Sequence, residues 1–344
     1  MAVTIKDVAK KANVSPSTVS RVISDSPRIS EGTKRNVRRV MEELGYHLNY
    51  NARVLAQQKT RTLGVVMKKS ASDSFHDPFF PEVLRGISAY CNKKDYSITI
   101  TTGESEEEIF EDVVKMVRGK RVDGMIVTYS KRGDKVIPYL IESDIPFVLV
   151  GSPNEFENKI IYVDNDNVKA AEDATDYLIK LGHERIGYIG GDLNYEVSIA
   201  RYKGYQDALM KHRFPLVDNY VVNPKGKVDM QKIVLDFMTL DKPPTALVVT
   251  DDFVAMKVLQ VCRNEGIEIP NQLSIISFNN AMIAQVSSPA LTSVDTQVFQ
   301  LGHEATKSLI EEINEPTDYK KSIIIPTVIK KRESCKILST EPSN

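Results

Sequence analysis

Apolar positions recur at two different periods along the chain, and the change falls near residue 62. Before it, Ile5, Val8, Ala9 and Ala12 stand at i, i+3, i+4 and i+7, the spacing that places side chains on one face of a helix. Thr4, with Asp7 three residues on, is a capping-box-like start for that helix. After Asn13 and Val14, Ser15 can cap a second helix with Pro16 in its first position, where a missing N–H leaves no bond unmade. Val19, Val22 and Ile23 supply its apolar side. A third helix is predicted from a Ser30 cap through Val37, Val40, Met41 and Leu44 to a stop at Gly45. The first two, separated by a three-residue turn, fit a helix-turn-helix.

From Thr62 onward short apolar runs alternate with helical stretches. Strands are predicted at 63–67, 96–102, 123–128, 146–150, 185–190, 219–223, 245–249 and 273–278. Helices are predicted near 80–94, 105–119, 134–143, 166–181, 198–212, 229–239, 252–265 and 298–314, and a further strand-like run follows at 291–295. Strand and helix alternating in units of about 30 residues imply parallel sheets covered on both faces. Two such runs divide near residue 163. The expected fold is therefore an all-α helix-turn-helix head followed by an α/β body of two doubly wound parallel-sheet subdomains.

Charge sharpens that division. The 344 residues carry 45 Lys and Arg against 46 Asp and Glu, a net −1. Through Arg61 the balance is twelve basic against five acidic residues, or +7, which leaves 33 against 41, or −8, for the rest. A basic head on an acidic body is the asymmetry expected when one small module meets a polyanion and the remainder avoids it. No stretch approaches the roughly 20 apolar residues that span a bilayer, and Met1 leads into a polar helix pattern rather than an apolar signal core. A cytoplasmic location without membrane contact is expected. Cys91, Cys262 and Cys335 are odd in number and lack metal-ligand spacing. Gly187-Tyr188-Ile189-Gly190-Gly191 is not a dinucleotide fingerprint, no phosphate-binding loop is present, and His47, His183, His212 and His303 are scattered. The body reads as a sensor rather than an enzyme, with no catalytic residues, no cofactor and no metal.

Two sets of residues carry candidate chemistry. The outward side of the second helix shows Pro16, Ser17, Ser20 and Arg21, short or donor-bearing side chains that suit a helix laid in a major groove; an ordinary solvated surface is the other reading. In open parallel sheets ligands bind beyond the carboxyl ends of the strands. There the chain places Asp73, Phe75, His76, Phe79 and Phe80 after the first strand and Arg201 after the 185–190 strand. Asp251 and Asp252 follow the 245–249 strand, and Asn279 and Asn280 the 273–278 strand. Arg, Asp and Asn offer paired hydrogen bonds and aromatic faces stack on a ring, which makes a sensible polyol or nucleoside site. Asp251 and Asp252 could instead serve only as helix caps, Arg201 as an interlobe ion pair, and Phe79 and Phe80 as packing.

Residues 3–24, VTIKDVAKKANVSPSTVSRVIS, closely resemble the head of the LacI family of transcriptional regulators. Gly45-Tyr46 with Asn49, Ala52, Arg53 and Leu55 continues the match, which runs in order to about residue 333. The resemblance implies base readers at Pro16, Ser17 and Arg21, with Thr4, Ser15, Thr18 and Ser20 concerned with backbone contacts and packing. It implies a linker at 49–58 that becomes helical on operator DNA. There Asn49 begins the helix, Ala52 lets paired copies approach, Arg53 is a phosphate contact and Leu55 is the minor-groove wedge. A helix so short is marginal by itself, since about 12–15 residues are needed in water. Two departures stand out. Many members carry asparagine where Ser24 lies, and many have proline where Leu48 precedes Asn49, which puts one polar contact and the linker's entry geometry in doubt.

The same resemblance implies a head at 1–48, a linker at 49–61 and a body at 62–340. Subdomain 1 would comprise 62–163 and 292–319, with the 291–295 strand returning to it, and subdomain 2 would comprise 164–291 and 320–340. Arg201, Asp252 and Asn279 match family positions that hold effector hydroxyls. The body is most similar to maltose-operon repressors of Gram-positive bacteria, through DPFFPEVLRGI, Phe75 to Phe80 and SFNN, although the chain lacks the Trp on which maltodextrins often stack. The function implied is a homodimeric, operator-binding repressor of a carbohydrate operon, released by a small sugar. The alternatives are a catabolite regulator partnered by phosphorylated HPr, a purine-dependent corepressor type, and a sugar-binding protein without a DNA role. In the 298–314 helix only Lys307 is basic, which disfavours the first, and the last leaves the opening 60 residues unexplained.

Overall fold

Three helices, Ile5–Ala12 (α1), Pro16–Ile23 (α2) and Glu31–Leu44 (α3), make up the head. The structure, a computed structural model, describes residues 3–46, 59–67, 76–226 and 228–338 and divides into one unit up to Thr60 and another from Arg61. Asp7 accepts both the backbone N–H of Thr4 (2.8 Å) and its hydroxyl (2.7 Å), so the first helix starts where the sequence places its cap. Ser15 and Ser30 accept the N–H of Thr18 and Thr33 at the heads of α2 and α3. The three apolar faces meet in a core of Val8, Ala9, Ala12, Val19, Val22, Val37 and Val40. Each valine buried in so small a unit contributes on the order of 1.5–3 kcal/mol, and a module of this size has little else to spend against chain entropy.

The body runs β1 (Thr62–Val66), α4 (Phe79–Lys94), β2 (Ser97–Ile100), α5 (Glu106–Arg118), β3 (Gly124–Val127), α6 (Val136–Glu142), β4 (Phe147–Val150), β5 (Ile161–Asp164) and α7 (Asn167–Lys180). It continues β6 (Ile186–Ile189), α8 (Glu196–Lys211), β7 (Val221–Val222), α9 (Met230–Met238), β8 (Ala246–Val249), α10 (Asp252–Asn264), β9 (Ser274–Phe278) and α11 (Met282–Val286). The last elements are β10 (Thr292–Asp295), α12 (Val298–Asn314), β11 (Ser322–Ile324) and β12 (Val328–Lys330). Two six-stranded sheets result, in the orders β11-β5-β4-β3-β1-β2 and β12-β10-β9-β8-β6-β7. Every pair is parallel except β10 with β12. Leu63 and Val65 face one apolar layer and Val66 the other, as expected of a strand covered on both sides. None of the described helices is long and apolar enough to cross a membrane.

The strand expected to return to the first lobe does not do so. Residues 292–295 stay in the second sheet, where Ser293 lies beside Ser277 of β9, and the lobe changes only afterwards, as α12 packs on α4. In the same way Ser322–Ile324 joins β5 of the first sheet, not the second subdomain to which 320–340 had been assigned. The reason is polar and buried: Thr292 and Ser293 are fully enclosed, and the Ser293 hydroxyl donates to Asp252 of the second lobe at 2.7 Å. Three crossings therefore join the lobes, after β5, after β10 and between β11 and β12. Asn165, at the first, donates its side-chain amide to the carbonyls of Thr296 (3.1 Å) and Ile325 (2.9 Å) at the other two. The strands at 161–164, 322–324 and 328–330 were not predicted. The latter two span three residues each and lie at sheet edges, in an apolar run that Pro326 breaks into two short pieces.

Within the second lobe α7 and α8 approach closely at Gly204, where an added Cβ would stand 2.0 Å from the Val168 carbonyl oxygen. A backbone atom cannot yield as a side chain does. Gly204→Ala is expected to push the two helices apart and lower stability by about 1–3 kcal/mol, read as a fall in denaturant midpoint at unchanged slope; an unaltered midpoint would show that the pair can separate freely.

Candidate functional site

Between the two sheets lies a cavity of about 200 Å3. A water needs roughly 10–15 Å3 of such space, so there is room for a ligand on the order of a mono- to disaccharide. The walls come from the carboxyl ends of strands in both lobes, as doubly wound sheets dictate. Phe79, Phe80, Arg201, Asp251 and Asn279, all expected from the sequence, line it together. His76 is exposed and lies outside the lining. Asp73 and Phe75 fall outside the described residues.

Arg201 is the fixed point of the second lobe's wall. Its Nε donates to Asn167 Oδ1 (3.0 Å), its Nη1 donates to the Thr250 carbonyl (2.6 Å), and the guanidinium stands 4.4 Å from the centre of the Phe278 ring. Burial pulls its pKa below the usual arginine value, and the neighbouring Tyr188, Asp251, Asp164 and Asp252 oppose that shift. Asp164 accepts from Ser152 (2.7 Å), the Asn165 N–H (2.7 Å) and Asn167 Nδ2 (3.0 Å); burial still raises its carboxyl above the ordinary range. Asn279 sits at a positive φ of 96° and accepts the Thr296 hydroxyl at 3.1 Å. Backbone held in that region costs energy and is concentrated at ligand sites.

The adjacent acids Asp251 and Asp252 have different fates. Asp251 lines the cavity and also caps α10 by accepting the Val254 N–H at 2.7 Å. Asp252 does not line it. Its carboxylate is 1 % exposed and accepts Ser277 Oγ (2.5 Å), Ser293 Oγ (2.7 Å) and the Ala281 N–H (2.6 Å). At this position, expected from the sequence to contact the effector, the carboxylate binds the β9, β10 and α11 segments to one another. Burial pushes its pKa up to about 6, against the pull of those three donors.

Sequence reasoning overlooked Asp77, Tyr129, Ser130, Asp164, Asn167, Asp192 and Tyr195, all in the lining. Tyr129 and Ser130 follow β3 by the same carboxyl-end rule that found Asn279, but had no charge to draw notice. The Ser130 hydroxyl is buried with no hydrogen-bond partner among the described residues. Its own backbone helps link the lobes: the Glu196 N–H donates to the Ser130 carbonyl (3.1 Å) and the Arg132 N–H to the Asn194 carbonyl (2.9 Å). Arg132 Nε and the Glu196 carboxylate pair at 2.9 Å across the same seam.

In the head, Pro16, Ser17 and Arg21 are exposed on α2, while Thr18 and Ser20 are half-buried. Ser15 bonds the Ser17 and Thr18 hydroxyls at 2.7 and 2.9 Å, so it organises the start of the helix. Among the described residues Arg21 has no ion pair, whereas Lys34 is held by Asp25 (3.1 Å) and Glu31 (3.0 Å), and Lys11 by Glu43 (3.0 Å). Asn49, Ala52, Arg53 and Leu55 lie outside the described residues.

Residues 4–49 match the family of bacterial regulatory proteins of the lacI type, and residues 175–335 match a periplasmic binding protein-like domain. The chain is 36 % identical over 324 residues to the HTH-type transcriptional regulator MalR of Streptococcus pneumoniae serotype 4, covering 92 % of this chain and 94 % of that protein. A transcription regulator-like protein from Staphylococcus haemolyticus superposes with a TM-score of 0.74 at 29 % identity, over 81 % of this chain and 100 % of that one. The complex of the transcriptional regulator CelR with cellobiose superposes with a TM-score of 0.74 at 27 % identity, over 96 % and 99 %.

Replacing Asp252 by alanine strands three buried donors. Asp252→Ala is expected to lose at least about 2 kcal/mol of stability. Because the folded-state pKa is raised, the carboxyl's contribution is fully present below its unfolded value near 4 and declines as pH rises through about 6. The gap between wild type and variant should therefore be widest in acid and narrow towards neutrality. Denaturant titrations of both proteins across that window check it; a gap that widens with pH would overturn the assignment.

Proposed function

On the premise that the chain belongs to the lacI family of bacterial regulatory proteins and is a DNA-binding transcriptional regulator, we propose that it is a homodimeric repressor of a maltose- or maltodextrin-type operon, released when a small sugar fills the cleft. The observation that carries this reading is the convergence in one cavity of Arg201, Asp251, Asn279 and the unpartnered Ser130 hydroxyl with Phe79, Phe80, Tyr129 and Tyr195. Carboxylate, amide, guanidinium and hydroxyl groups match the alternating donors and acceptors of a polyol, and aromatic rings cover the apolar face of a pyranose. The similarity to MalR supports the maltose assignment, and the CelR–cellobiose complex supports a sugar in a cleft of this architecture.

The coupling rests on two mechanical elements. Asn165 ties the three crossings, so the lobes turn about a fixed hinge. At the rim, the bonds between residues 130–132 and 194–196 must break for the lobes to part on that side. A sugar that bridges both walls favours the lobe arrangement with those bonds intact, and it shifts DNA affinity only by as much as its affinity differs between the two arrangements. On the DNA side, Pro16, Ser17 and Arg21 read bases, Thr4, Ser15, Thr18 and Ser20 set backbone contacts, and Asn49, Ala52, Arg53 and Leu55 form the linker's part of the proposal. A two-fold dimer places two heads on the halves of a pseudopalindrome.

Fluorescence anisotropy on operator fragments tests this directly. Maltose is expected to weaken operator binding by wild type, Arg201→Ala to retain operator binding but lose the maltose response, and Arg21→Ala to cost about 1–3 kcal/mol of specific binding. Retention of the maltose response by Arg201→Ala, or tighter binding with sugar, would sink the induction scheme.

A further inference from the structure

We infer that the cleft accepts uncharged ligands and rejects anionic ones, because its lining sets four carboxylates against one arginine and two of those carboxylates already occupy helix N-termini. The inference rests on the reading of this cavity as a sugar site and adds the class of sugar it takes.

A doubly wound body directs helix N-termini at its cleft, and such ends are ready-made anion sites, with free N–H groups and a favourable dipole. A sugar phosphate or uronate would ordinarily be welcome there. In this chain carboxylates of the lining occupy two of these ends. Asp77 accepts the Phe79 N–H at the start of α4 (3.0 Å), and Asp251 accepts the Val254 N–H at the start of α10 (2.7 Å). Ahead of α8, Asp192 in the lining accepts the loop N–H of Asn194 (3.0 Å).

The charge count in the lining follows. Asp77, Asp164, Asp192 and Asp251 face a single cation among the described lining residues, Arg201. That cation is partly spent: Nε and Nη1 are bonded to Asn167 and Thr250, and Asp251 and Asp164 lie near enough to act on its charge. An incoming phosphate or carboxylate meets an excess of like charge. A neutral polyol meets the opposite situation, because its hydroxyls donate to carboxylate oxygens in strong, charge-assisted bonds. The buried, unpartnered hydroxyl of Ser130 is an independent sign that the cavity is built for a hydrogen-bonding ligand.

Isothermal titration of the full chain with matched pairs tests this: maltose and its phosphorylated form, glucose and glucose-6-phosphate, ribose and ribose-5-phosphate. In any pair that binds, the neutral member is expected to bind roughly tenfold tighter or more, with the ratio shrinking at high salt. Asp77→Asn and Asp251→Asn keep an oxygen for the helix N–H and should each shrink the ratio several-fold. A phosphorylated sugar that binds wild type as well as its neutral partner overturns the inference even if maltose binds. A ratio indifferent to salt and to both substitutions also overturns it. Should either variant melt early, the salt series on wild type decides. Silence of the maltose pair beside discrimination in another pair removes the maltose assignment and leaves the selectivity standing, whereas silence of every pair removes both.

Discussion

The amide of Asn165 governs the body. It is buried where the chain first passes between the lobes, and its two N–H groups reach the backbone carbonyls of both other crossings. Three strands of irregular backbone, which lack sheet partners at that point, are thereby held at one distance from each other. Losing the amide would leave two buried carbonyls unpaired, a penalty of about 1–3 kcal/mol each, and would free the crossings to move separately. The hinge is also wired to the ligand wall within two residues. Asp164 accepts the Asn165 backbone N–H and Asn167 Nδ2, and Asn167 Oδ1 in turn accepts Arg201 Nε. A ligand that pulls on the guanidinium therefore pulls on the residue beside the pivot, through two hydrogen bonds rather than through a long packed path.

What was legible in the sequence follows from how strongly each feature is written in local periodicity. The three head helices declare themselves by caps and a 3.6-residue stripe, and eight body helices lie where the alternation with strands predicts them. β3, β4 and β8 declare themselves as short apolar runs, because both faces of a parallel sheet are buried, and β1 and β9 do so with a Thr or Ser among the apolar residues. β10 does not: its Thr292 and Ser293 are polar yet fully enclosed, and the partner that justifies them, Asp252, is 41 residues away from Ser293. Lobe assignment at that strand depends on a tertiary hydrogen bond that no local pattern encodes. β11 and β12 carry Ile323, Ile324, Val328 and Ile329, but Pro326 breaks the run into three-residue pieces at sheet edges, shorter than the roughly four to eight residues that mark a strand.

The site shows the same division at the level of single residues. Arg201 could be found because one long cation early in a helix after a strand has few reasons to be there. Asp251 and Asp252 could not be separated, since consecutive positions at a helix start point about 100° apart and the sequence does not say which direction faces the cleft. The cap position of Asp251 leaves it in the lining, while the first turn of α10 swings Asp252 under β9 and β10. Ser130 was invisible for the opposite reason: its carbonyl is engaged by the opposite lobe and its hydroxyl is idle, and both properties exist only once the lobes are placed.

Head and cleft use their acids differently. In the head, acids are used to fasten bases: Asp25 holds Lys34 and Arg38, and Glu43 holds Lys11 and Arg39. This orders the scaffold and leaves Arg21 on the outward face of α2 without an ion pair among the described residues. At the cleft, Asp77 and Asp251 sit at helix starts, where an N–H and the dipole stabilise them, while elsewhere in the body ion pairs such as Lys211 with Asp176 and Lys321 with Glu311 hold the acids. Carboxylates so held need no neutralising lysine, and the second lobe's wall can keep one arginine without becoming an anion trap. The same placement that stabilises each helix thus sets the sign of the field in the cleft. The body gains an acidic ligand site and an acidic net charge from one set of residues, and the basic residues of the head are left as the part of the chain suited to phosphate.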